Sequence, residues 1–444
     1  LGSPEEDTMK ARGLCATLAA TLLLSACGAG GRPEEGGGAE PQVGVTATSV
    51  KVGAHFPLTG VAAPGYSEIP TGTKVYFDFV NAAGGVHGRQ IEYVFRDDAY
   101  NPTQTSQVVN ELVLQDQVFA IMGGLGTPTH SAVLDYLNSE GVPDLFVSSG
   151  SLLWDHPGQN PMTFGWQPDY EIEGKIIAQY VAQNFPNARV GLFLQDDDFG
   201  RDGEKGARHY LENQIVAAER YTPGNTDVAP QIAALQAAGA DLVIGFNVPS
   251  YTALSQLQSL RLNYRPQWIY SNVGSDPALV GSLLARFSEG AVTDAGLLEG
   301  VITTEYLPGV DTPENPWTQL FQRVWDAHGG EGELTNYRVY GMAEAYTFVQ
   351  ALQAAGPNLT REGIVEAVER SGATFEGPWA APFRYSADRH AGISGVHVTR
   401  ITGGTTENLT PVLVTDNGDA PITESTGEPA SPPEDGIPDV QPVS

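Results

Sequence analysis

Residues 226–246 read TDVAPQIAALQAAGADLVIGF. After a polar opening, Val228–Ala238 spaces its apolar residues as one face of a helix. Ala237-Ala238-Gly239 supplies a glycine stop. Leu242–Asn247 follows as a short apolar run, the pattern of a strand covered on both faces. A helix delivered directly into a buried strand is the repeating unit of a parallel α/β sheet.

The same alternation extends in both directions. Strands are expected at Val50–Leu58, Ile91–Asp97, Phe119–Gly124, Asp144–Ser148, Arg189–Gln195, Ala217–Tyr221, Gln267–Ser271, Val301–Tyr306, Gly395–Ile401 and Val412–Thr415. Helices fall between them, among others at Thr71–Ala83, Pro102–Gln115, Thr129–Glu140, Tyr170–Asn184, Arg201–Asn213 and Asn336–Ala355. Repeated β-then-α order implies right-handed crossovers and parallel sheets. About eleven strands over roughly 370 residues favour an α/β architecture of two doubly wound parallel-sheet lobes, with a single eight-stranded barrel as the competitor.

Composition narrows the function classes. Of 444 residues 41% are hydrophobic, enough for a sizeable core. Lys and Arg number 23 against 53 Asp and Glu, a formal charge of −30. Such a surface repels phosphate backbones, so no nucleic-acid partner is expected. The two cysteines, Cys15 and Cys27, both precede the folded body. An internal disulfide framework, a Cys-ligated zinc and a Cys nucleophile are thereby excluded from it.

From Met9 a short basic region with Lys10 and Arg12 leads into the apolar stretch Leu14–Leu24. About eleven apolar residues cannot span a bilayer, but they suit a secretory signal. Leu24-Ser25-Ala26-Cys27 looks like a bacterial lipobox, which makes Cys27 the expected lipidation site and the lipid anchor to the cell membrane. Residues 1–26 are then upstream residues and signal peptide, and 27–47 a Gly/Pro/Glu-rich flexible linker. The acidic, Pro-rich stretch 416–444 is expected to be a disordered tail.

Catalytic motifs are missing. There is no H-x-x-x-H or H-E-x-x-H spacing, no G-x-S-x-G and no Walker loop, and Gly123-Gly-Leu-Gly126 falls short of a dinucleotide fingerprint. Asp196-Asp197-Asp198 lacks the ligand series of a calcium loop and reads as helix-entry charge. No metal, no cofactor and no enzymatic activity are expected. Two hydroxyl-rich, uncharged loops are more informative: Leu125-Gly126-Thr127-Pro128-Thr129 and Ser148-Ser149-Gly150-Ser151. Both follow parallel strands, where open α/β sheets place ligands, although capping and turn chemistry use the same residues. Phe199 follows the corresponding strand of the second half.

LTG at 58–60, FVNAAGGVHGRQIEYVFRDDAYNP at 79–102, DDDFGRDG at 196–203 and residues 226–246 together resemble the leucine/isoleucine/valine-binding protein family, solute receptors of ABC transporters. The resemblance covers essentially residues 49–415. It implies two type 1 periplasmic-binding-protein lobes joined by three crossovers: residues 48–166 with 303–384, and 167–302 with 385–415. It also implies an extracytoplasmic monomer that captures a small polar solute and hands it to an ABC transporter permease. A ligand-sensing module partnering a membrane signalling protein is the alternative.

Carried over residue by residue, the ligand carboxylate falls on Thr127, Ser149 and Ser151, the aromatic cover on Phe199, and the late helix tyrosine on Tyr340. Gly65 stands where the family has an aromatic, so Tyr66 is its expected substitute. The family's paired cysteines read Tyr100 and Gly126 here. Its ammonium-pairing acid aligns with Asn272, which can hydrogen-bond an amine but cannot neutralise it. An organic acid, amide or urea-like solute is therefore expected to fit better than an ordinary α-amino acid, unless a nearby acid such as Asp276 turns in.

Overall fold

Val190–Gln195 and Leu242–Phe246 are buried at every position, as strands flanked by helices on both faces must be. The computed structural model describes residues 42–292, 295–329, 332–427 and 429–443. The expected signal, the linker up to residue 41 and Cys27 lie outside the described residues.

The first sheet contains β1 (Ser49–Phe56), β2 (Gln90–Asp97), β3 (Ala120–Met122), β4 (Asp144–Val147) and β5 (Thr163–Gly165). Their order is β2-β1-β3-β4-β5, all parallel. In the second sheet β6 (Val190–Gln195), β7 (Ile215–Tyr221), β8 (Leu242–Phe246), β9 (Gln267–Tyr270) and β10 (Ile302–Glu305) repeat that plan as β7-β6-β8-β9-β10. Antiparallel β11 (Gly395–Thr402), β12 (Thr405–Asn408), β13 (Leu413–Val414) and β14 (Thr423–Glu424) extend its far edge. Two open sheets with the same strand order replace the barrel alternative. In this order ligands bind beyond the carboxyl ends of the strands, where the winding direction reverses.

The chain passes between the sheets after β5, after β10 and before β11. Because β10 pairs with β9, the return to the first lobe begins beyond Glu305 rather than at residue 303. The helix Asn336–Ala355 then packs on the helix Ile69–Ala82, close enough for Thr73 to donate to the Gly341 carbonyl at 3.1 Å. The helix expected over Thr129–Glu140 is two short ones, Thr127–Ser131 and Leu134–Ser139, broken where Val133 leaves helical backbone at φ −120°. Asp197 accepts from the Phe199 N–H at 3.0 Å, so the triple-Asp run is a helix entry.

The segment after Thr415 corrects the expectation of a disordered tail. It first closes over Lys175, a buried ammonium whose Nζ donates to Thr415 Oγ1 at 3.1 Å and to the carbonyls of Asp416 at 2.9 Å, Gly418 at 2.7 Å and Ala420. Farther on it reaches the first lobe. Trp317 Nε1 donates to Ala430 O at 2.6 Å, Tyr76 Oη to Gly436 O at 2.8 Å, and Val443 N to Ala354 O at 2.8 Å. Composition hides this because much of the tail's contribution is backbone carbonyls, which buried N–H, O–H and ammonium groups require, with Asp416 adding ion pairs to Arg384 and Arg389.

Candidate functional site

Loops from the carboxyl ends of both sheets enclose a cavity of about 170 Å³. An apolar cavity of roughly 150 Å³ accepts benzene, so the space suits a solute of on the order of ten non-hydrogen atoms. The lobes meet around it. Tyr66 Oη donates to Val273 O at 3.2 Å, Gln195 Nε2 to Tyr100 Oη at 3.1 Å, and Ser250 Oγ to Val61 O at 2.7 Å. Ser151 Oγ and Leu152 N both donate to Asp202 Oδ2 at 3.0 Å.

Five of the residues expected at the ligand line the cavity: Tyr66, Thr127, Phe199, Asn272 and Tyr340. Phe199 packs on Tyr170 with ring centroids 4.4 Å apart, and Tyr340 stands edge-on to Trp166 at 4.8 Å. Ser149 and Ser151 are placed otherwise. Ser149 Oγ sits 2.8 Å from Thr127 Oγ1 and supports it from behind, while Ser151 caps the turn Leu152–Trp154 and reaches Asp202. Ser148 takes the place on the wall. The Tyr170 phenol also lines the cavity and is pushed up to about 12 by burial.

Where the family has paired cysteines, Tyr100 lies against Gly126. A Cβ at Gly126 would stand 2.6 Å from Tyr100 Cε2, and Gly126 has φ +101°. The loop bearing Thr127 is thus held by an aromatic ring seated on a glycine.

Asn272 does not stand alone. Its Nδ2 and its backbone N–H each donate to Glu173 Oε1 at 2.8 Å, and Ser271 Oγ donates to Glu173 Oε2 at 3.1 Å. Glu173 is fully buried, and burial raises its pKa against the pull of these donors. Two further carboxylates line the cavity itself, Asp276 and Glu305. Asp276 accepts from Leu279 N and from Asn336 Nδ2, both at 2.7 Å, and burial raises its pKa. Burial likewise pushes Glu305 up to about 7. No Lys, Arg or His is among the described residues of the lining.

Gln167, from the first crossover, completes the wall. Its Oε1 accepts from Tyr340 Oη at 3.2 Å, while its buried Nε2 has no partner among the described residues. A buried amide donor facing a cavity is satisfied by a ligand acceptor. Among these residues, Ser148, Gln167, Tyr170, Glu173 and Glu305 were missed by sequence reasoning. Only Ser148 lay in a loop already singled out.

The sequence profile described as "Periplasmic binding protein" matches residues 49–406. The chain belongs to the periplasmic binding protein family. It is 26% identical over 329 residues to a Leu/Ile/Val-binding protein homolog 2 of Brucella abortus, covering 71% of this chain and 81% of that one. Among solved structures, a fatty acid ABC transporter substrate-binding protein from Thermomonospora curvata superposes with a TM-score of 0.73 at 22% identity, over 86% of this chain and 97% of the other. A branched chain amino acid ABC transporter protein from Thermus thermophilus with bound valine gives 0.71 at 19% identity, over 83% and 97%. This periplasmic binding protein is an extracytoplasmic solute-binding protein and not an enzyme.

Proposed function

We propose that this protein captures a small amine-bearing solute, with an amino acid as the leading class, and delivers it to an ABC transporter permease while anchored through a lipidated Cys27. The observation that carries the ligand class is the pair Asp276 and Glu305 in a cavity with no cationic side chain among its described lining residues. Carboxylates withdrawn from water without a counter-charge are costly, and a ligand ammonium removes that cost. At other points of the wall the hydroxyls of Thr127 and Ser148 and the Gln167 amide offer donors to a carboxylate or carbonyl. The earlier expectation of an amine-free ligand rested on Asn272 alone. Glu173 behind it, and the two acids beside it, reverse that preference.

Capture works by population shift: a solute touching both lobes stabilises the arrangement in which they meet. The names of relatives support an amino acid, whereas the fatty acid neighbour shows that the fold itself admits other ligands. The test is a thermal-shift series on the soluble form beginning at Gly28, with matched pairs such as leucine and 4-methylpentanoate, and with amides and ureas. A solute at 100 times its Kd adds about 2.7 kcal/mol. Stabilisation by the amine-bearing members is expected. Stabilisation by the amine-free members alone overturns the assignment.

A further inference from the structure

One turn beyond Tyr340, on the same helix, Glu344 lies directly behind the cavity wall. It is fully buried. Its Oε1 is 2.7 Å from Ser148 Oγ, and its Oε2 has no partner among the described residues. Gly123 makes room for it, since a Cβ there would stand 2.4 Å from Oε2. Among the described residues its charge is felt by four phenols: Tyr340 from its own helix, which also lies within hydrogen-bond reach of Ser148, Tyr93 from β2, Tyr306 from the second crossover and Tyr385 from the third. Among the described residues, Ser148 is the one side chain that favours its ionised form. A carboxylate ion buried among phenols with one hydrogen bond and no cation is strongly disfavoured.

A serine hydroxyl has a single hydrogen. If Glu344 is ionised, Ser148 must donate to it and presents only lone pairs to the cavity. If Glu344 holds a proton, that proton goes to Ser148 Oγ and frees the serine hydrogen for the ligand. We propose that Glu344 is a protonated positioning residue that makes Ser148 a hydrogen-bond donor toward the ligand, so that the ligand group at Ser148 is a carboxylate or carbonyl oxygen. The inference rests on the reading of the cavity as a solute site. Burial pushes the Glu344 carboxyl up to about 8, so the donor state prevails at neutral pH. Above that value the serine turns into an acceptor, and affinity for an anionic group falls by roughly tenfold per pH unit, as linkage to one proton requires.

Infrared spectroscopy of the ligand-free protein tests the proton directly. A protonated-carboxyl C=O band at pH 7 that titrates away near pH 8, is lost in Glu344→Gln and moves to higher frequency in Ser148→Ala is expected. Its absence at pH 7, or indifference to Ser148→Ala, overturns the proposal. Leucine affinity measured from pH 7 to 9 gives the functional arm. The wild type should weaken between pH 8 and 9, whereas Glu344→Gln, which carries no titratable proton there, should show no such alkaline loss. An equal alkaline loss in both overturns the link to ligand. If neither leucine nor 4-methylpentanoate binds, the ligand reading has failed, and the infrared band alone decides for or against the proton on Glu344.

Discussion

Asn272 gives both its side-chain and its backbone N–H to one oxygen of Glu173, each at 2.8 Å. The position that carries an acid in the resembling family is therefore occupied by the donor partner of a different, buried acid. Restoring an acid by Asn272→Asp would place two carboxylates in contact, where both cannot ionise. The raised folded pKa means that stability is retained at pH below the unfolded value and lost as pH rises through the folded one. Urea unfolding of Asn272→Asp should thus show a larger deficit at pH 8 than at pH 5, about 2–4 kcal/mol at the upper end. Adding Glu173→Gln should recover much of it.

Glu305 should control the acid limb of ligand binding. Burial pushes its carboxyl up to about 7, with Thr406 opposing and Asp311 and Asp276 adding to the rise. A ligand ammonium pairs with the ionised form, so protons compete with it and affinity rises from pH 5 to 8. Glu305→Gln should flatten that rise and weaken binding at pH 8 by roughly 10- to 100-fold, the equivalent of one hydrogen bond to a charged group. Titration calorimetry with an amine-bearing solute reads both effects.

Asp202 ties the lobes at the cavity's edge. It accepts from Ser151 Oγ and Leu152 N, both in the first lobe, and burial pushes its carboxyl up to about 6. Asp202→Ala removes both bonds, and small-angle scattering of the ligand-free protein should show a larger radius of gyration. The raised pKa favours the joined state below about pH 6, so the wild type should contract between pH 7 and 5, and the variant should not.

Gly126 tests the replacement of the family's cysteines by a ring on a glycine. With φ +101° and a Cβ position 2.5 Å from Thr129 Oγ1, Gly126→Ala should cost about 2–4 kcal/mol. Gly141, at φ +59° with open space around its Cβ position, is the control, and Gly141→Ala should cost no more than about 1 kcal/mol.

Ending the chain after Thr415 removes three of the four acceptors around Lys175. Truncation also removes the ion pairs of Asp416 with Arg384 and Arg389, so the melting temperature should fall by several degrees. Lys175→Met in the full chain, which leaves the carbonyls without their donor, should lower it as well. An unchanged melting temperature on truncation would show that the carbonyl cage contributes nothing.

The sequence by itself determined the alternation of elements. In residues 226–246 the apolar spacing, the glycine stop and the buried run are local properties, and the structure returns them as the helix Ala229–Ala237 and β8. The same locality explains why Thr127 and Phe199 could be placed at strand ends, whereas Asn272 was reached only through the family resemblance. Tertiary structure alone decided which hydroxyl of the second loop faces the cavity. Ser148 does, whereas Ser149 and Ser151 turn to Thr127 and Asp202, because partners distant in sequence select among adjacent side chains of one turn. Tertiary structure also set the charge of the site. Glu173, Glu305 and Glu344 are ordinary glutamates in the sequence, and only burial beside a hydroxyl gives each its role. The acidic tail shows the same division: its composition speaks for solvated side chains, but its place is set by backbone groups that every residue carries and by the pairing of Asp416 with distant arginines.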